Sequence, residues 1–197
     1  MNHASIHSQL KWFDFCVIFL RSLNNRVNIP YEADGLMIKY KKMAADVLLP
    51  VLRKVTIFSG LTESEISAIS HNCDIMNAAA GDVLLEEGKA ATEIFIILQG
   101  RINLVLNMYD NPLEIFVFGQ GHCIGEASVI GIQNHSASAV VLEEASLMIL
   151  SRKVLMDIFE TDSRLFSLLI LNIAREIARR LHHTDEILLH YGRMKKQ

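Results

Sequence analysis

The stretch GHCIGEASVIGIQNHSASAVV, residues 121–141, decides how this chain is read. It holds a glycine–glutamate pair, Gly125 and Glu126, followed by two small residues, Ala127 and Ser128. Nine residues past the glutamate comes His135, then Ser136, Ala137 and Ser138. Such a stretch suits a small polar ligand, and its worth depends on what surrounds it.

Upstream, short apolar runs alternate with turn residues. Gly81-Asp82, Gly88, Gly100, Asp110-Asn111-Pro112, Gly119 and Gly121 separate DVLLE, EIFIIL, RINLVLN and LEIFVF. Downstream lie SASAVV and SLMIL. Short strands at close, even spacing predict a β-sandwich or barrel-like roll. In RINLVLN, Ile102, Leu104 and Leu106 alternate with Asn103, Val105 and Asn107, the pattern of a half-buried strand. EIFIIL is apolar throughout and predicts burial on both faces.

Helical patterns flank this region. AADVLLPVLRK, residues 44–54, reads as a short helix disturbed by Pro50. Thr62 precedes Glu65 by three residues, a capping box that opens a second helix. SRKVLMDIFETD predicts a helix ending near Thr161-Asp162, and a long one runs from about Ser163 to His190. Alternating steps of three and four along it pick out Ser167, Ile170, Ala174, Ile177, Leu181, Thr184, Leu188 and Tyr191. That is a coiled-coil seam, so the helix is expected to pair with a second copy, while Leu168, Leu169, Leu171 and Ile173 supply a second face for its own roll.

The bulk composition narrows the function classes. The chain has 197 residues, 51% of them apolar, enough for one domain with an extension. A net charge of -3 gives no global attraction to nucleic acid. Cys16, Cys73 and Cys123 are odd in number and widely spaced, which argues against a disulfide framework and fits a reducing cytosol. The apolar run WFDFCVIFL, residues 12–20, is interrupted by Asp14 and far shorter than the roughly 20 residues of a membrane span. Only Lys11 is basic before it, so it makes a poor signal peptide. Residues 1–43 are therefore expected to be an N-terminal extension, with Met37 or Met43 as alternative starts. Residues 44–162 are expected to form the roll with its N-terminal helices, and residues 163–197 the long helix and a short tail. No nucleophile–base constellation, Walker loop or metal motif marks the chain as an enzyme.

Four segments carry a resemblance together: IFSGLTESEISAI, AAGDVLLEEGKAATEIFIILQGRINL, GQGHCIGEASVI and NIAREIARRLHHTDEILL. In this order they resemble the cyclic-nucleotide-binding domain, and most nearly the effector domains of the catabolite activator protein family of bacterial regulators. The resemblance covers about residues 44–191. It implies an α+β fold, a β-roll flanked by helices with a long C-terminal dimerisation helix. It also implies cAMP or cGMP as ligand and a homodimer. Only six residues follow Tyr191, leaving no room for the helix-turn-helix of such regulators, so direct DNA binding is not expected.

By the resemblance, Gly125 lets the backbone approach the ligand, having no Cβ. Glu126 accepts a hydrogen bond from the ribose 2′-hydroxyl, and the helical turn opened by Ala127 and Ser128 turns free N–H groups towards the phosphate. The family's phosphate-binding arginine is replaced by His135, followed by Ser136 and Ala137. Arginine presents a permanently charged fork, whereas histidine offers one donor and titrates near pH 6.5. Weaker, pH-dependent binding, or none, is expected. Thr184 matches the residue that touches adenine across the dimer seam, and Asp185 stands where the nearest relatives carry serine.

Plainer readings stand beside these. A Gly-Glu pair means little outside a roll, and His135 could simply cap a strand. The pocket could be degenerate, plugged by Ile130, Ile132 or His135, which would make the chain a constitutive interaction module. His71 with Cys73, or His122 with Cys123, suggests a haem or redox sensor as a lower alternative.

Overall fold

The computed structural model describes residues 39–40 and 45–194, with side chains over residues 48–186. The expected extension lies outside the described residues apart from Lys39 and Tyr40, as do the side chains of Leu188 and Tyr191. In chain order the elements are β1 (Lys39–Tyr40), α1 (Ala45–Leu52), a 3-10 turn (Thr56–Phe58), α2 (Glu63–His71), β2 (Asp74–Ala78), β3 (Val83–Leu85) and β4 (Glu93–Leu106). They continue with β5 (Leu113–Phe118), β6 (Cys123–Ile124), α3 (Glu126–Gly131), β7 (Ser138–Ser151), α4 (Arg152–Thr161) and α5 (Ser163–Met194).

The strands form one antiparallel sheet in the order β1-β2-β7-β4-β5, with β3 added to β7 and β6 to β4. Its spine is the pairing of β4 with β7, from Glu93 opposite Ser151 to Val105 opposite Ser138. The sequence spacing predicts two strands in each of these segments, but each is one strand of 14 residues. Register shifts between Ile97 and Ile102 bend the ladder instead of ending it. Gly100 sits in the bend with φ +95°, and a Cβ there would lie 2.7 Å from Cα and Cβ of Ala145.

Side chains of a strand alternate between its faces, and the sheet has a core on each. Phe95, Ile97, Ile102, Phe118, Ile124 and Leu147 fill the roll interior. Ile94, Ile96, Leu98, Met148 and Leu150 point the other way, onto Leu52, Ile57, Ile66, Leu155, Leu169 and Ile173 of the helical layer. EIFIIL is thus buried on both faces, as its composition predicts. RINLVLN departs from its alternation, because Asn103 and Val105 are buried as well as Ile102.

α2 begins with the expected capping box: Glu65 N donates to Thr62 Oγ1 (3.3 Å) and Thr62 N donates to Glu65 Oε2 (2.7 Å). Thr62→Ala removes one half of this exchange and should cost about 1 kcal/mol, read as a lower urea midpoint that Thr62→Ser restores. An unchanged midpoint would mean that the box adds nothing to stability.

α5 runs to Met194, one turn past the expected end. Leu165, Leu169 and Ile173 face the core, and Asn172 Nδ2 donates to the carbonyls of Ile57 (3.2 Å) and Ser59 (2.7 Å). The expected seam divides. Ser167, Ala174, Leu181 and Thr184 are exposed, whereas Ile170 and Ile177 pack partly against the helical core. Leu171, expected on the core face, is 47% exposed. The docking of Leu169 and Ile173 sets this rotation of the helix.

Candidate functional site

β6 hands the chain to α3 through Gly125, whose φ is +85°. A Cβ there would lie 2.8 Å from the Glu93 carbonyl oxygen and 3.5 Å from Leu85 Cδ1, so both conformation and space demand glycine. The turn makes Glu126 the first residue of α3, with Val129 N donating to the Gly125 carbonyl (3.0 Å). Ala127 is exposed and Ser128 buried. At the far end Ile132 adopts φ +52°, unusual for a β-branched residue. Its N–H closes the helix on the carbonyls of Ser128 and Val129.

Glu126 is 2% exposed. Its Oε1 accepts a hydrogen bond from Arg180 Nη1 of α5 at 2.6 Å, while Arg180 Nη2 donates to the Cys123 carbonyl at 2.6 Å. The guanidinium carbon stands 4.5 Å from the centroid of Phe118, a cation–π contact. Arg180 Nε donates to Glu176 Oε1 (3.2 Å), and Arg179 pairs with Glu176 Oε2. Glu126 Oε2, by contrast, is buried with no hydrogen-bond partner among the described residues. Burial pushes the Glu126 carboxyl above the ordinary carboxylate range; Arg180 and a hydrogen bond from the residue's own backbone N–H pull it down, and Glu176 pushes it up. Burial opposes ionisation of Glu176 too, but hydrogen bonding to Arg179 and the charge of Arg180 hold its carboxyl below the ordinary range.

His135 is brought to the same corner. Its Cε1 is 3.7 Å from where a Gly125 Cβ would sit, and the residue is 7% exposed. Its backbone is clipped to the 86–90 turn: His135 N donates to the Lys89 carbonyl and Gly88 N to the His135 carbonyl, both at 2.8 Å. Burial lowers the imidazole pKa. Ser136 is exposed and Ala137 buried, while Ser138 Oγ accepts from Glu87 N at 3.0 Å.

Thr184 and Asp185 lie on α5 one turn beyond Arg180 and are both exposed. Thr184 Oγ1 turns back to the Arg180 carbonyl (2.9 Å), so neither residue is bonded to Glu126 within one chain. Of the candidate plugs, Ile130 packs against the helical core and not the roll interior. Burial, with the Asp74 charge adding to it, pushes the Cys73 thiol up to about 12, and burial raises that of Cys123 further. Among the described residues no group of three His, Cys, Asp or Glu could hold a metal ion.

Sequence reasoning missed Arg180 as a site residue. It stands 54 residues from Glu126, and no local pattern links them. Its spacing of four from both Glu176 and Thr184 was the one available signal.

Comparison with known proteins agrees with this geometry. Residues 75–162 match the family model of the cyclic nucleotide-binding domain. The chain is 25% identical over 128 residues to the cyclic nucleotide-gated channel rod photoreceptor subunit alpha of Gallus gallus, a match covering 65% of this chain but only 19% of the channel subunit. Among solved structures, a cyclic nucleotide-binding domain from Methylobacillus flagellatus superposes with a TM-score of 0.71 at 20% identity, over 81% of this chain and 92% of that one. The catabolite activator protein of Thermus thermophilus gives 0.60 at 23% identity, over 68% of this chain and 61% of that one. No helix among the described residues is long and apolar enough to cross a membrane. Residues 75–162 thus match the cyclic nucleotide-binding domain, and the chain has the fold of such domains.

Proposed function

We propose that this chain is a regulatory module, not an enzyme, that binds a cyclic nucleotide, cAMP or cGMP, and passes its ligand state to a protein partner in the cytoplasm. The observation that carries this reading is Glu126 Oε2, a buried acceptor with no partner among the described residues. Burying such an oxygen unsatisfied costs about 1–3 kcal/mol or more, a cost that a donating ligand hydroxyl removes. A ribose 2′-hydroxyl is such a donor. His135 and Ser136 would then meet the cyclic phosphate, with α3 turning the N–H groups of Ala127 and Ser128 towards it. Gly125 and Ala137 keep the surroundings small.

In this reading residues 44–162 are the ligand-binding unit, residues 163–197 the dimerisation helix, and residues 1–43 a separate extension. A homodimer through α5 covers Leu181, which is 61% exposed, and brings Thr184 and Asp185 of one copy to the base bound by the other. Affinity is weak, because histidine stands where a forked cation would hold the phosphate.

The test is calorimetric titration of the full chain with cAMP and cGMP at pH 6.0 and 8.0. Saturable binding that tightens at the lower pH supports the reading. No heat at roughly millimolar nucleotide from folded protein, which corresponds to less than about 4 kcal/mol of binding free energy, overturns it.

A second reading, a constitutive interaction module with a retired pocket, draws on Arg180. This residue joins α5 to the β6–α3 turn through Glu126 and the Cys123 carbonyl, contacts made by the protein itself.

A further inference from the structure

Arg180 is a long side chain on a helix surface, yet it is held at four points. Three belong to the roll: Glu126 Oε1, the Cys123 carbonyl and the Phe118 ring. The fourth is Glu176, one turn earlier on the same helix and 6% exposed. The second oxygen of Glu176 is taken by Arg179, so this carboxylate is itself immobilised. The three residues sit at spacings of three and four that meet on a helix.

A guanidinium is planar, and fixing Nε fixes the directions of both Nη groups. With Nε engaged by Glu176, the edge formed by Nη1 and Nη2 is the one left to face the cassette. That edge meets the β6–α3 corner, at Glu126 and the Cys123 carbonyl. We propose that Glu176 is a positioning residue of the ligand site: it aims Arg180 so that Glu126 is held by one oxygen and presents the other to a ligand hydroxyl. The ligand part rests on the receptor reading above; the aiming of Arg180 does not.

Charge alone would give Glu176 the opposite effect. Two carboxylates and two guanidiniums make the cluster neutral, which suits a poorly hydrated place. Acting only through space, Glu176 makes Glu126 harder to ionise, whereas Arg180 makes it easier. The Cys123 thiol of β6 and the His135 imidazole also lie at this corner, and burial raises the thiol pKa and lowers that of the imidazole.

The experiment is a carbon-13 NMR titration of the Glu126 carboxyl in the full chain without ligand, its signal assigned by Glu126→Gln. Wild type is compared with Glu176→Gln, Glu176→Asp and, as reference, Arg180→Gln. Aiming predicts that both Glu176 variants move the Glu126 midpoint upwards, the direction of Arg180→Gln. A mere neighbouring charge predicts a fall in Glu176→Gln and no change in Glu176→Asp, and either result overturns the proposal. Should Glu176→Gln not fold, Glu176→Asp decides alone, since it keeps the charge and loses the reach.

Titration with cAMP and 2′-deoxy-cAMP tests the ligand part. The wild-type preference for the ribose form should shrink about tenfold in Glu176→Gln, the value of one weakened charge-assisted bond. An unchanged preference refutes that part. If wild type binds neither nucleotide, the receptor reading fails, and the NMR titration still settles the aiming of Arg180.

Discussion

His135→Arg is expected to raise the affinity for cAMP by roughly ten- to over a hundredfold, from the ~1.5–3 kcal/mol of a charge-assisted hydrogen bond. In wild type the free imidazole is held below its ordinary pKa by burial. A bound phosphate would raise that pKa, so binding takes up a proton. Affinity is then greatest below the free-state pKa and falls as pH rises through the bound-state pKa. Arginine remains charged throughout and should remove this slope. His135→Lys supplies charge without the fork and should recover only part of the gain. The longer side chain must pass Gly125, beside which the His135 ring lies, so some loss of thermal stability is expected with the gain in binding. Calorimetry of the three proteins at pH 6.0 and 8.0 decides the matter. Equal affinities would remove His135 from the phosphate site.

The second large effect concerns the bend of the roll. Gly100→Ala should lower stability by about 2–5 kcal/mol, combining ~1–2 kcal/mol for a left-handed alanine with ~1–3 kcal/mol for overpacking. For a chain of this size that is a fall in Tm of roughly 5–20 °C. The added Cβ would meet Cα and Cβ of Ala145 and the Glu144 carbonyl oxygen, all at 2.7 Å. Two of these are backbone atoms of the paired strand and cannot rotate away. Ala145→Gly in the same chain removes the one side-chain partner and should return about 1 kcal/mol, a coupling measured by a double-mutant cycle. A Tm within a degree or two of wild type would show that β4 and β7 can separate at the bend without loss.

Much of the helical layer was legible because its signals are local. Thr62 and Glu65 make the capping box that their spacing predicts, and the break at Thr161-Asp162 falls where polar residues interrupt the pattern. The strands were legible as apolar runs but not in number. Gly100 and Gly88 look alike in the sequence, yet the first lies within a continuous strand and the second in a turn. What distinguishes them is the strand that pairs alongside, about 45 residues away at Ala145.

The site divides in the same way. Gly125, Glu126 and His135 could be named from the order of residues, because one short turn and its return strand hold them together. The surroundings of Glu126 could not. Its burial and its bond to Arg180 depend on where a 32-residue helix crosses the roll. That crossing follows from Leu165, Leu169 and Ile173 entering the helical core, and the same rotation leaves Leu171 and Leu181 facing outwards. Local order along the chain was enough to determine the roll, the turn at Gly125 and the existence of the long helix, since capping, turn chemistry and periodicity act over a few residues. The ionic cluster behind Glu126 was decided by packing between segments some 50 residues apart, because burial and charge pairing depend on distance in space and not along the chain.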